Sequence, residues 1–386
     1  MNIAYKTTIA LMLSPQEKKD KIIRSTDIDA LSCRYSSNRL SYFFPADPYT
    51  EILVQSYQKN LQYCQGYTGL SSGRLLRSSF GEKKFPLINR GTYFRTKAID
   101  LIVDQFLKEF PSGQIVSLGG GSDTRAFRIL HKYKHVSYFE IDFPESVKIK
   151  HLAILQSEEL KNIIEYEGDD KVEINNKQEF ENFQPCLHTP RYHLVSYDLR
   201  NLAHGSKDFV EQLQTFNPGL PTLLLSECVL CYMNPEENIG CLKYFKDICI
   251  DYLSVVIYEP ISLGDTFGAT MARNLSERGI NLLTFNEFPD LKSKLKFLHD
   301  ICGFQTVRLT DLSSIAGYGR RSEPHKESWV DVQEIYRINH IELIDEVEEI
   351  RLLLQHYCFC FAEWSPAQNQ KHLVGIDRWN WLESLN

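Results

Sequence analysis

The run Ile115-Val-Ser-Leu-Gly-Gly-Gly-Ser-Asp-Thr124 constrains this chain more than any other stretch. An apolar-rich strand over 115–118 empties into three consecutive glycines, Gly119, Gly120 and Gly121. Backbone without side chains at the carboxyl end of a strand lets a ligand lie against the main chain. About twenty residues later the next strand-like run, Val136-Ser-Tyr-Phe-Glu-Ile-Asp142, ends in an acid, as nucleotide-binding α/β folds require for the ribose hydroxyls. Glycines alone would serve equally well in a tight turn that binds nothing. With the acid, the pattern predicts a nucleoside cofactor in a doubly wound sheet.

A dinucleotide fingerprint would read G-x-G-x-x-G, with the third glycine packing a helix whose start holds a pyrophosphate. Here Gly119, Gly121 and Arg125 take those places, and Asp123 follows the glycines. An acid there repels a pyrophosphate and suits a ligand carrying an amine and a sulfonium. S-adenosylmethionine fits that charge better than a nicotinamide cofactor.

From about residue 97 onward, strand-like runs alternate with amphipathic helical patterns, the signature of a mostly parallel sheet covered on both faces. Ile99, Ile102, Val103, Phe106 and Leu107 share one helical stripe over 97–107. Pro144 suits the first position of the helix after Asp142. Asn234-Pro-Glu-Glu237 opens another helix with an N-cap, a proline and a capping-box carboxylate. Strands are expected at 194–197, 222–226 and 254–259. An antiparallel pair is expected from 304–309 and 357–361, joined by an excursion with a helix at 340–354. Residues 157–190 read as an insertion, and residues 1–95 as an arm and helical lid outside a 96–386 core.

Four successive strands thus finish at Gly119–Gly121, Asp142, Asp198 and Glu227. In open α/β sheets the strand ends converge on the ligand. Asp198 has the alternative of capping a helix, and Glu227 that of pairing with an arginine.

The 386 residues, 43% of them hydrophobic, suffice for one large core. A formal charge of −7 disfavours a nucleic-acid partner. The segment from Arg74 to Arg95 is basic, and reads equally as a solvated loop or as an attractor for an acidic partner. Ten cysteines lack framework spacing, and Cys228-Val-Leu-Cys231 has no nearby histidine to complete a zinc set. Reduced thiols and a cytoplasmic location are expected. Thr8 to Leu13 is too short for a membrane span and reads as a loosely docked arm. Nothing demands an oligomer, and a monomer is expected.

Six segments resemble the leucine carboxyl methyltransferases: Ile88-Asn-Arg-Gly-Thr-Tyr-Phe-Arg95, Val116 to Thr124, Tyr138-Phe-Glu-Ile-Asp-Phe143, Tyr197-Asp-Leu-Arg200, Pro221 to Tyr232, and Gly264-Asp-Thr-Phe-Gly268. The resemblance runs from about Ser25-Thr-Asp27 to Cys360. It implies a class I, Rossmann-like α/β fold with a mostly parallel seven-stranded sheet and a helical lid. It also implies methylation, by S-adenosylmethionine, of the C-terminal leucine carboxylate of type 2A protein phosphatase catalytic subunits, engaged through their C-terminal tail and active-site region, with S-adenosylhomocysteine as product.

Carried over by motif, Arg95 is both a catalytic and a cofactor-binding residue that holds a carboxylate in the site, and Gly119 lies under the cofactor. Asp142 takes the ribose, Asp198 and Leu199 flank the adenine, Glu227 faces the methionine portion, and Tyr232 lines the substrate pocket. In the family a lysine follows the cysteine of the N-terminal motif. Here Cys33 is followed by Arg34, which takes that lysine's place among the cofactor-binding residues and keeps the charge with a different reach. The alternatives are another carboxyl or O-methyltransferase, the related branch acting in tRNA wybutosine modification, and a catalytically silent binding protein. No blade-like repeats appear to support the second of these.

Overall fold

The computed structural model describes residues 13–168, 172–205, 209–319, 328–366 and 371–385. The expected strand at 115–118 is β1 (Gln114–Leu118), buried along its whole length, as a strand covered on both faces must be. It pairs in parallel with β2 (Ser137–Asp142) on one side. Beyond β2 lies β4 (Tyr192–Ser196), with the two-residue β3 (Leu187–His188) antiparallel at that edge. On the other side β1 pairs with β5 (Thr222–Glu227), and β5 with β6 (Leu253–Pro260), both in parallel. β8 (Tyr357–Trp364), β7 (Thr306–Asp311) and β9 (Glu383–Leu385) complete the sheet antiparallel.

The order is β3-β4-β2-β1-β5-β6-β8-β7-β9. Seven of these strands form the expected mostly parallel α/β sheet, and β3 and β9 each add an edge. The order reverses between β1 and β5, which opens a crevice at their carboxyl ends.

Side chains alternate across the strands as the pleat requires. Ile115, Tyr138, Leu223 and Phe361 enter the core on one face. Val116, Phe139, Leu224 and Cys360 enter the core on the other. The N-terminal helices add a third apolar cluster. α1 (Pro15–Arg39) starts at Ser14 with a full capping box to Glu17, and α2 (Thr50–Asn60) and α3 (Gly69–Phe80) follow. Ile28 and Leu31 of α1 pack with Leu53 and Tyr57 of α2 onto Ile149 and Leu152 of α6 (Pro144–Leu155).

α4 (Pro86–Glu109) carries the expected apolar stripe into the sheet's core, so the division at residue 95 falls inside one continuous helix. α5 (Arg125–Lys132) begins directly after the glycine turn. The 157–190 stretch holds short helices at Glu158–Ile163 and Lys177–Asn182 as well as β3. Of the helix expected at 340–354 only the part from Val347 forms, as Val347–Gln355; residues 340–346 connect it to a separate helix, Val332–Asn339. Leu343 between them stays 84% exposed, because its apolar side chain meets no wall there. The arm expected at 8–13 falls outside the described residues up to position 12. Among the described residues no helix is long and apolar enough to cross a membrane.

Candidate functional site

A cavity of about 620 Å³ lies at the carboxyl ends of the parallel strands, roofed by α1 and α4. That volume falls within the range of small-molecule sites. All eight residues singled out from the sequence line it: Arg34, Arg95, Gly119, Asp142, Asp198, Leu199, Glu227 and Tyr232.

The glycine turn is held by packing as well as by conformation. Gly119 has φ +60°, and a Cβ there would stand 2.5 Å from Val229 Cγ2. Gly121 has φ +36°, with Asp27 Oδ1 2.5 Å from where its Cβ would be. Gly119→Ala is therefore expected to cost about 2–3 kcal/mol, from left-handed backbone plus overpacking. The denaturant midpoint measures that cost. An unchanged midpoint would show that Val229 yields freely.

Asp142 ends β2 with each carboxylate oxygen accepting one backbone N–H: Gly121 at 2.7 Å and Phe143 at 2.6 Å. Burial, and then the neighbouring Asp27 carboxylate, push the Asp142 acid up to about 7 against those two donors. Asp27, on α1, was not assigned a role from the sequence. Its Oδ1 accepts the Ser122 N–H at 2.8 Å, and its Oδ2 accepts the Ser122 hydroxyl at 2.8 Å and the Tyr57 hydroxyl. One carboxylate thus ties the lid helix to the glycine turn. Neither Asp27 nor Asp142 makes an ion pair with a basic side chain among the described residues.

Asp123 behaves otherwise than its sequence position implied. It is ion-paired with Arg125 and lies 3.8 Å from Arg34. Its charge is spent inside the protein, and the negative charge offered to a ligand comes from Asp27 and Asp142 instead. Arg125, which the fingerprint comparison treated only as a missing glycine, is a hub. Its side chain is 2% exposed, with Asp100 at 2.8 Å and Glu227 at 3.4 Å. No local pattern announces such long-range pairs.

Asp198 both caps the short 3₁₀ turn Leu199–His204 and grips Arg200 through two oxygens, at 2.8 and 2.6 Å. Arg200 in turn reaches Asp20 of α1 at 2.9 Å. Leu199 is buried beside it. Arg34 gives its Nε to Asp47 at 3.1 Å and faces Thr96 at 3.5 Å, so its charge is largely committed to the loop after α1.

Glu227 closes β5 and accepts from Arg95 Nε through Oε1, while its Oε2 faces Arg125. The Arg95 guanidinium lies 5.1 Å from the centre of the Tyr258 ring, which stacks on Tyr357 at 5.3 Å and 4°. Glu227 and Tyr258 are register partners across β5 and β6, so two adjacent strand ends clamp one arginine. The next residue, Cys228, sits at φ +57°, a strained turn that redirects the chain toward Tyr232. Burial pushes the Tyr232 phenol well above its ordinary value. All ten cysteines are free thiols, and no metal-binding cluster occurs among the described residues.

Against known proteins, the family described as leucine carboxyl methyltransferase matches residues 22–245. The chain is 50% identical over 374 residues to leucine carboxyl methyltransferase 1 of Debaryomyces hansenii, covering 96% of this chain and all of that protein. The same-named protein of Candida albicans is 50% identical over 97% of this chain and the whole of its own length. That of Yarrowia lipolytica is 35% identical over 89% and 98%.

Proposed function

The chain belongs to the leucine carboxyl methyltransferase family, and from that premise we propose that it methylates the C-terminal leucine carboxylate of type 2A protein phosphatase catalytic subunits. The observation that carries this reading is that one cavity holds both an acidic, glycine-floored end at Asp142 and a clamped cation at Arg95. The acidic end suits a cationic nucleoside, and the arginine suits an anionic acceptor.

The residues fit S-adenosylmethionine. Asp142 is a cavity-lining carboxylate that makes no ion pair with a basic side chain among the described residues, and so has capacity left for two hydroxyls. Gly119 leaves the floor bare, Asp198 and Leu199 flank the adenine, Glu227 receives the methionine end, and Arg34 supports that end of the site through Asp47 and Thr96. When bound, S-adenosylmethionine supplies a sulfonium methyl whose leaving group is a neutral thioether, S-adenosylhomocysteine.

This chain's own residues then have three tasks. The first is to orient the acceptor, which Arg95 does by binding a carboxylate; Glu227 and Tyr258 fix the guanidinium. The second is to exclude water, with α1, α4 and Tyr232 walling the cavity. The third is to need no proton transfer. A terminal carboxyl with a pKa of about 3.5 is ionised at neutral pH, so the attacking oxygen is already a nucleophile. Among the described residues no histidine lines the cavity, in keeping with a reaction that asks for no general base. Alignment of two bound reactants supplies much of the rate, as much as about 7–11 kcal/mol in favourable intramolecular systems.

Labelled methyl transfer from S-adenosylmethionine to purified phosphatase catalytic subunit tests the reading. Base-labile label is expected on the intact subunit, and none on a subunit lacking its terminal leucine. Equal labelling of both would overturn the assignment.

A further inference from the structure

None of the residues assigned above to the cofactor lies in the segment Gly264-Asp-Thr-Phe-Gly268. It starts the helix Thr266–Glu277, which contributes Phe267, Thr270, Met271 and Asn274 to the cavity wall. Within that helix only Gly268 is buried. So little apolar burial leaves the helix dependent on its end attachments.

The chain enters it through two consecutive left-handed residues, Leu263 at φ +53° and Gly264 at φ +67°. Leucine is an unfavourable residue for that conformation, which marks a constrained bend. A Cβ on Gly268 would overlap the Ser262 carbonyl, so the helix start is pressed against the bend. Asp265 then caps the helix, its Oδ1 accepting the Gly268 N–H at 2.8 Å. At the far end Arg278 pairs with Asp29 of α1, but both side chains are exposed and such pairs contribute little.

The same Oδ1 of Asp265 lies 3.0 Å from Nε2 of His356. His356 is 0% exposed, and its Nδ1 donates to the Leu352 carbonyl at 2.8 Å. Its ring packs 4.6 Å from that of Phe267. It stands at the junction of the Val347–Gln355 helix with β8, between the cavity-lining Leu354 and Tyr357. One buried ring, donating from Nδ1 to a carbonyl and from Nε2 to a carboxylate, therefore joins two walls of the cavity. The Gly268 N–H, and then the His356 ring, hold the Asp265 carboxyl below its usual range.

Resting on the reading that this cavity takes a peptide's terminal carboxylate, we propose that His356 and Asp265 form a latch that fixes the 266–277 helix as the peptide-side wall. His356 is then a positioning residue for the acceptor and has no part in holding the cofactor.

The test compares wild type with His356→Leu, His356→Gln and Asp265→Ser. Three quantities are read: KM and kcat for a peptide ending in leucine, S-adenosylhomocysteine affinity, and amide hydrogen exchange over 266–277. His356→Leu is expected to raise peptide KM about tenfold and to speed exchange by a similar factor, with kcat and S-adenosylhomocysteine affinity moving less than about twofold. Glutamine places an amide nitrogen near the position of Nε2 and is expected to restore most of the loss. Serine keeps the cap on Gly268 but is too short for His356, so Asp265→Ser should match His356→Leu.

Unchanged KM and exchange in Asp265→Ser would overturn the latch. So would glutamine performing no better than leucine, or cofactor-product affinity falling in step with KM. Should His356→Leu fail to fold, Asp265→Ser decides. Should the wild-type chain methylate no leucine-ended peptide, KM and kcat are read with the intact phosphatase catalytic subunit; should that also go unlabelled, the functional reading falls, while exchange over 266–277 still decides whether the latch exists.

Discussion

Arg95→Ala is expected to lower kcat/KM for a leucine-ended peptide by about 10²–10³-fold, the scale of losing one preorganised donor at a reacting centre. Arg95 is anchored on the two sides the protein supplies: Glu227 receives its Nε, and Tyr258 lies under its face. Alanine removes the cation and leaves Glu227 with Arg125, whose side chain is already engaged by Asp100 and Asp123. Because that hub persists, Glu227 keeps a partner and the fold should survive, with far-ultraviolet circular dichroism and a cooperative melt as the controls. Arg95→Lys keeps the charge but loses the flat face over Tyr258 and the fork of donors. It should therefore recover only part of the rate. Near-wild-type kcat/KM for the alanine variant would remove Arg95 from the reaction and return it to a purely structural pair with Glu227.

How much of this site was readable beforehand depends on where each signal resides. β1 with its glycines, and the acids ending β2 and β5, are local patterns: a buried run, a residue that needs positive φ, a carboxylate at a strand's end. Gly119 and Asp142 therefore stand where the sequence put them. Asp27 and Arg125 escaped because their meaning lies in partners far along the chain. Ser122 is 95 residues from Asp27, and Glu227 is 102 from Arg125. Periodicity says nothing about such pairs. Asp123 misled for the same reason, since its neutralising partner had been counted only as an absent glycine. β3 and β9, with two and three residues, are too short to show a period of two. The helix expected over 340–354 failed where apolar residues recur at helical spacing but find no wall to cover them.

Affinity for S-adenosylhomocysteine should fall about tenfold for each unit of pH below about 7 and level off above it, because the ribose hydroxyls need an ionised acceptor at Asp142. The sign follows from the direction of the shift. Burial and the Asp27 charge raise the folded acid from 3.8 to about 7, so between those values the folded protein holds a proton that the unfolded chain has released. Stability of the ligand-free protein therefore drops as pH rises through that window. Binding reverses the preference, since two donated hydroxyls stabilise the anion and expel the proton. Calorimetry at pH 6.5 in buffers of different ionisation enthalpy should detect that released proton, and at pH 8.5 should detect almost none from this group. Asparagine at 142 is a poor control: Gly121 and Phe143 each donate to a different oxygen, and an amide has only one to offer. Asp27→Asn is the better control. It keeps an oxygen for the Ser122 N–H and a polar group for Tyr57 while removing the neighbouring charge. The break in affinity should then move to lower pH, whatever uniform loss follows from removing a charge that also faces the ligand. A break that stays near 7 in that variant would mean burial alone sets the Asp142 acid. A wild-type affinity flat from pH 5.5 to 8 would mean that the ribose is not held there at all.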